Sequence, residues 1–258
     1  MHLQTFKRYL GIIFYRTVAG IKSESRQRYL GYVWFLLEPL LSTAVFYVAY
    51  SQFTGHQGPG AVLLILVGMI LWQWFEGGIM SGAGSIKSKF HVLNQCALPK
   101  FLFPLVSIAI HTWKFLCVSG VIFTVAIALG YTPNANWCYL PLLFLLQLLF
   151  IVSIALPISI GITLWTDFQI VVSSTLRLFF FLSGIFFEAD KVPEDLQKYF
   201  FWNPMAVFID SGRAVVLRGE APVLERLQIT VGATVILLLL SFVAHAYYDK
   251  KILKLINL

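Results

Sequence analysis

The chain has 258 residues, of which 59% are hydrophobic, 16% aromatic and only 12% charged, with a formal net charge of +7. A mean hydropathy of +0.80 lies outside the range of soluble domains, so a polytopic membrane protein is expected. The basic excess is then assigned to cytoplasmic flanks and anionic lipid headgroups, not to nucleic acid.

Residues 1–28 lack an apolar core and carry Lys7, Arg8, Arg16 and Lys22 on other faces than Phe6, Leu10, Ile13, Phe14, Val18 and Ile21. That spacing predicts no cleavable signal peptide but an amphipathic helix lying on the membrane surface. The first span is expected at about 29–53, interrupted at Glu38-Pro39, which places a carboxylate and a kink at membrane depth. A second span at 61–80 carries Trp72, Trp74 and Glu76, and a glycine run follows. Residues 85–98 then repeat Ile86, Phe90, Leu93 and Ala97 at helical spacing, which predicts a short cytoplasmic helix parallel to the membrane. Spans three to six are expected at about 101–130, 138–165, 168–187 and 224–248, with Thr166-Asp167 as a tight hairpin capped by Asp167.

Between the last two spans, residues 188–222 do not read as a solvated loop. Pro193 followed by Glu194 and Asp195 starts a helix, Asn203-Pro204 breaks it, and Gly219 stops a second one. Neither piece approaches the roughly 20 residues of a span, so a re-entrant hairpin sheltered by protein is expected. Orientation follows from charge: 12 of the 19 basic residues fall on the side of the termini and the 85–98 helix, which puts both termini in the cytoplasm and the hairpin on the periplasmic face.

Enzymatic constellations are sought and not found. The five histidines lie in separate segments without HExxH spacing, and the three cysteines have no CxxC pattern, so neither a metal site nor a disulfide framework is expected. No phosphate-binding G-x-x-x-x-G-K-[ST] loop occurs, so any ATP and Mg²⁺ would be bound by a partner. Lys114 and Arg177 fall near the middle of spans, where a cation costs about 2.5–3.5 kcal/mol unless it faces a pore, a partner or a seam. They line a conduit for an anionic polymer, or they pair with Glu38 or Glu76, or snorkel. Trp34, Trp72, Trp74 and Tyr248 suit a headgroup belt, and some suit stacking on sugar rings.

The stretches R-Q-R-Y-L-G-Y-V-W-F-L-L-E-P-L (Arg26 to Leu40), S-G-I-F-F (Ser183 to Phe187), Val192-Pro193, F-W-N-P-M (Phe201 to Met205) and G-R-A-V-V-L-R-G (Gly212 to Gly219) resemble the permease subunit of type-2 ABC exporters for bacterial surface polysaccharides, in order and spacing over nearly the whole chain. The resemblance implies an all-α polytopic fold: an interface helix (1–28), then one six-span domain (29–258) with a coupling helix at 85–98 and a re-entrant hairpin at 188–222. It implies a homodimer in the inner membrane with two ABC ATPase subunits, moving a lipid-linked capsular polysaccharide, O-antigen or teichoic acid, with periplasmic and outer-membrane export components as further partners. Under it, Lys87, Lys89, Phe90 and Asn94 dock on the ATPase, where the residues alone also allow a plain surface helix. Arg26 and Arg28 hold the lipid-linked head group or simply anchor the cytoplasmic flank. Trp34, Glu38, Lys114, Arg177, Phe179 and Phe180 line the conduit, and Phe186, Phe187, Trp202, Asn203, Pro204 and Arg213 form the periplasmic gate. The other readings are a permease for a small hydrophobic molecule and an intramembrane enzyme acting on lipid-linked sugar.

Overall fold

The structure, a computed structural model, describes residues 2–27, 33–54, 58–89 and 98–248. Those residues form helices and connecting turns without strands. The order is α1 (His2–Gln27), α2 (Val33–Thr54), α3 (Pro59–Ser88), α4 (Leu102–Ala128), a 3₁₀ turn, α5 (Leu140–Leu164), α6 (Phe168–Leu182), a second 3₁₀ turn, α7 (Glu194–Phe200), α8 (Pro204–Arg213) with a π turn at Ala214–Arg218, and α9 (Leu224–Tyr248). Gly60–Ser88, Leu102–Ala128, Ala135–Leu164 and Leu224–Tyr248 are long and apolar enough to cross a bilayer. α6 is apolar but has only 15 residues.

α3 is the central helix, with α2, α4, α5 and α8 packed around it. Its glycines explain how. A Cβ on Gly78 would meet Ile151 of α5 at 2.8 Å, and one on Gly82 would meet Ile108 of α4 at 3.0 Å and Ala155 of α5 at 3.1 Å. Lipid tails offer no hydrophobic contrast between helices, so close approach at small residues supplies the van der Waals contact that holds the bundle. The sequence reads these glycines as the end of the second span at 80, but the helix continues unbroken to Ser88, with Gly77, Gly78 and Gly82 each under a neighbouring side chain. Ser85 to Ser88, the first turn expected of the coupling helix, therefore belong to α3; residues 90–97 lie outside the described residues.

The amino-terminal helix also differs from expectation. α1 runs alongside the first half of α4 in the same direction: Tyr9 meets Phe101 edge-on with centroids 6.0 Å apart, Gly20 lies under Ile110, and Glu24 pairs with Lys114. A helix flat on the surface would cross α4 once. Leu10 and Phe14 of its apolar stripe nevertheless stay exposed.

Some of the polar ties between helices reach backbone carbonyls, and others join side chains, as where Trp74 Nε1 of α3 donates to Thr112 Oγ1 of α4 at 3.2 Å. Gln147 of α5 donates to the Leu71 carbonyl of α3 at 2.8 Å, and Ser241 of α9 donates to the Ser153 carbonyl at 2.6 Å. Asp167 stands before α6 but its side chain makes no cap bond, a departure from the expected cap.

Candidate functional site

The hairpin between α6 and α9 follows the local signals closely. Pro193 precedes α7, whose first turn carries Glu194 and Asp195, and Asn203 caps α8 by accepting from the Met205 N–H at 3.0 Å. Pro204 opens α8, and Gly219 ends the π turn in the left-handed region at φ 69°. The carbonyl of Gly219 is then held by Nδ2 of both Asn134 and Asn136, each at 2.7 Å.

Arg213 pins this hairpin to α3. Only 2% exposed, its guanidinium donates to the carbonyls of Leu64 (Nε 3.1 Å, Nη2 2.9 Å), Gly184 (2.7 Å), Ile185 (2.6 Å) and Phe187 (2.9 Å). Gly184 takes φ 71°, which turns the chain so that these carbonyls converge on one guanidinium. Gly68 makes room, since a Cβ there would stand 2.9 Å from Nη2. Asn203 adds a second tie, donating to Ser183 Oγ at 3.0 Å and to the Leu182 carbonyl at 3.3 Å. The S-G-I-F-F and N-P-M stretches and Arg213 are thus parts of one clamp that satisfies non-helical backbone inside the bundle.

The expected gate residues are partly brought together there. Phe186 packs on Phe46 (4.9 Å) and Phe180 (5.4 Å), and Phe187 on Phe200 (5.6 Å), while Trp202 is 74% exposed and lies against Tyr199 (5.2 Å). Arg226, which no local motif singles out in the sequence, stacks on Phe201 at 3.6 Å and pairs with Asp210 at 3.2 Å. Asp210 also holds Arg218 at 3.0 Å.

A second feature is an open cavity of about 620 Å³ lined by α1, α2, α3 and α4. Its walls carry Glu24, Glu38, Gln73, Glu76, His111 and Lys114 beside Trp74. Pro39 stands inside α2 beside Glu38, and Trp72 fixes Glu76 by donating a 3.0 Å hydrogen bond to Oε2. Of the expected conduit set, Glu38 and Lys114 share this cavity, and Phe180 lies on the far side of Trp72, 5.6 Å from its ring. Trp34, Arg177 and Phe179 lie exposed on the outside of the single chain. Lys114 pairs with Glu24 of α1.

On the expected coupling side, Lys87 donates to Thr166 Oγ1 at 2.8 Å, so the end of α3 touches the α5–α6 turn. Lys89 is half-buried, and burial together with the neighbouring Arg16 pushes its ammonium below the ordinary lysine value, against the opposing pull of Glu24. Phe90, Asn94 and Arg28 lie outside the described residues, and so does the side chain of Arg26.

The ABC-2 type transporter profile matches residues 13–217, from α1 through the π turn of the hairpin. The chain belongs to that family. Among curated relatives, an O-antigen export system permease protein RfbA of Klebsiella pneumoniae is 26% identical over 215 residues, covering 81% of this chain and 83% of the relative. Another of the same name from Myxococcus xanthus is 22% identical over 232 residues, covering 89% of each. This ABC-2 family member is therefore a multi-pass membrane transport subunit.

Proposed function

We propose that the chain is the membrane-spanning subunit of an ATP-driven exporter that carries a lipid-linked surface polysaccharide across the bacterial inner membrane. One observation carries the substrate reading: permeases named for O-antigen export match 81% and 89% of the chain. In this reading six spans, formed by α2, α3, α4, α5, α6 and α9, make a single domain over residues 29–258, with both termini cytoplasmic and the 188–222 hairpin on the periplasmic side.

Two copies pair about a two-fold axis, because one chain has too few spans to enclose a sugar polymer. The outer faces of α2 and α6 suit the seam: Leu41, Val45, Leu178 and Phe181 are exposed there, and so are Arg177 and Phe179. A cation such as Arg177 facing lipid would cost about 2.5–3.5 kcal/mol, which a polar conduit at the seam removes. Two ATPase subunits bind ATP and Mg²⁺ and move the segment holding Lys87, Lys89, Phe90 and Asn94, while Arg26 and Arg28 receive the phosphate of the lipid carrier. The periplasmic aromatics Phe186, Phe187 and Trp202, carried on the frame of Asn203, Pro204 and Arg213, reseal the outer mouth.

The test is ATPase activity of the permease reconstituted with its nucleotide-binding partner, with and without Lys87→Ala and Phe90→Ala, read beside surface polymer in matching cells. The variants are expected to keep assembly and hydrolysis but lose most export. If no ATPase binds and polymer still reaches the surface, the exporter reading is wrong.

A further inference from the structure

α1, the end of α3 and the start of α4 meet around a cavity of about 320 Å³ that lies apart from the polar cavity described above. Its chemistry is divided. Its polar lining is Arg16, Lys89 and Ser23, and the rest of the wall is apolar, led by Leu102, Val106 and Ile110. Those α4 residues recur every fourth position, so they form a continuous stripe about 12 Å long at 1.5 Å per residue.

Two features single out these cations. Arg16 is exposed and Lys89 half-buried, with Arg16 close enough to act on the Lys89 charge, and among the described residues neither side chain has a hydrogen bond or salt bridge to the protein. The lowered proton affinity of Lys89 reflects the same burial and the same neighbour. An anion between the two would relieve both. The walls contain no carboxylate, so sugar hydroxyls lack the charged acceptors that the larger cavity offers.

We propose that this cavity binds the phosphate and upper acyl chain of a net-anionic phospholipid from the surrounding bilayer. Arg16 and Lys89 take the phosphate oxygens. The acyl chain lies along Leu102, Val106 and Ile110. The position suits a headgroup, because the helices that end and begin there, α3 and α4, are both long enough to span, which puts their shared ends at the membrane interface. A zwitterionic lipid would bring an ammonium against two cations and is disfavoured. The bound lipid would also wedge α1 against the end of α3, next to the segment proposed to meet the ATPase.

The experiment is native mass spectrometry of the detergent-purified full chain titrated with phosphatidylglycerol, phosphatidylethanolamine or an isoprenoid diphosphate. It has no transport or ATPase readout, so its result stands independently of the export reading. Phosphatidylglycerol is expected to bind selectively over phosphatidylethanolamine. Each interfacial cation is worth about a factor of five, so Arg16→Gln with Lys89→Gln should weaken binding roughly thirty-fold. Lys191→Gln with Lys198→Gln, which removes the same charge from the hairpin, should leave it unchanged. The charge-conserving pair Arg16→Lys with Lys89→Arg should retain it, which separates loss of the site from loss of the fold. Equal binding of both phospholipids, or an undiminished affinity in the glutamine pair, would overturn the proposal. Displacement by the isoprenoid diphosphate at a lower concentration than phosphatidylglycerol would overturn it too, by assigning the site to a lipid-linked carrier.

Discussion

Arg213 shows how one side chain decides a turn. Its guanidinium fork reaches carbonyls on α3 and on the turn after α6, and no ammonium can span that arc with a single nitrogen. Arg213→Lys keeps the charge yet leaves buried carbonyls unpaired, at a cost of about 1.5–3 kcal/mol. Gly68→Ala attacks the same clamp from the other side, pressing a methyl to 2.9 Å from Nη2, and overpacking of that kind costs about 1–3 kcal/mol. Both should lower the thermal midpoint of the purified protein, measured by the loss of its size-exclusion peak on heating. Because they break one interaction, the double variant should lose less than the sum of the singles. Full additivity would mean that Arg213 and Gly68 act separately and that the clamp is misassigned.

At the scale of elements, the hairpin was the most legible part of the chain. Pro193, Asn203-Pro204 and Gly219 act on their own backbone within a few residues, so their sequence positions alone mark the helix ends. The expected end of the second span failed for the opposite reason. Gly77, Gly78 and Gly82 read as breakers, and only the side chains that cover them, His111, Ile151 and Ile108, show that they are packing sites. The partner of Lys114 was likewise hidden, since Glu24 lies in another helix and sequence spacing carries no trace of it. That pair now predicts how α1 is held. In a chain whose native cysteines are replaced by serine, Gly20→Cys and Ile110→Cys should form a disulfide under mild oxidation. Lys114→Ala leaves Glu24 facing the cavity unpaired and should reduce the cross-link several-fold, as breaking a partly buried pair does. Exchanging the charges, Glu24→Lys with Lys114→Glu, should restore it. A cross-link absent even before the charge changes would put α1 elsewhere, as the amphipathic pattern alone had suggested.

For the molecule as a whole, the topology turns on the helices at the margin of spanning length. The four long apolar helices fix an even number of crossings by themselves, and the reading rests on two more, α2 and the short α6. At 1.5 Å per residue the 15 residues of α6 reach about 22 Å, less than the roughly 30 Å hydrocarbon core, so α6 crosses only if the clamped turn after it completes the depth. That links the residue scale to topology: the carbonyls of Gly184, Ile185 and Phe187 would lie at membrane depth, where Arg213 replaces the water they lack. Side-specific labelling checks this. In the cysteine-free chain, Lys7→Cys should react with a membrane-impermeant maleimide only after the membrane is opened. Trp202→Cys and Lys191→Cys, both exposed on the hairpin, should react in intact cells whose outer barrier is permeable to the reagent. If Lys7→Cys and Trp202→Cys react from the same side, an even number of crossings separates them. Either α2 or α6 then fails to span, and the hairpin faces the cytoplasm instead of guarding an outer mouth.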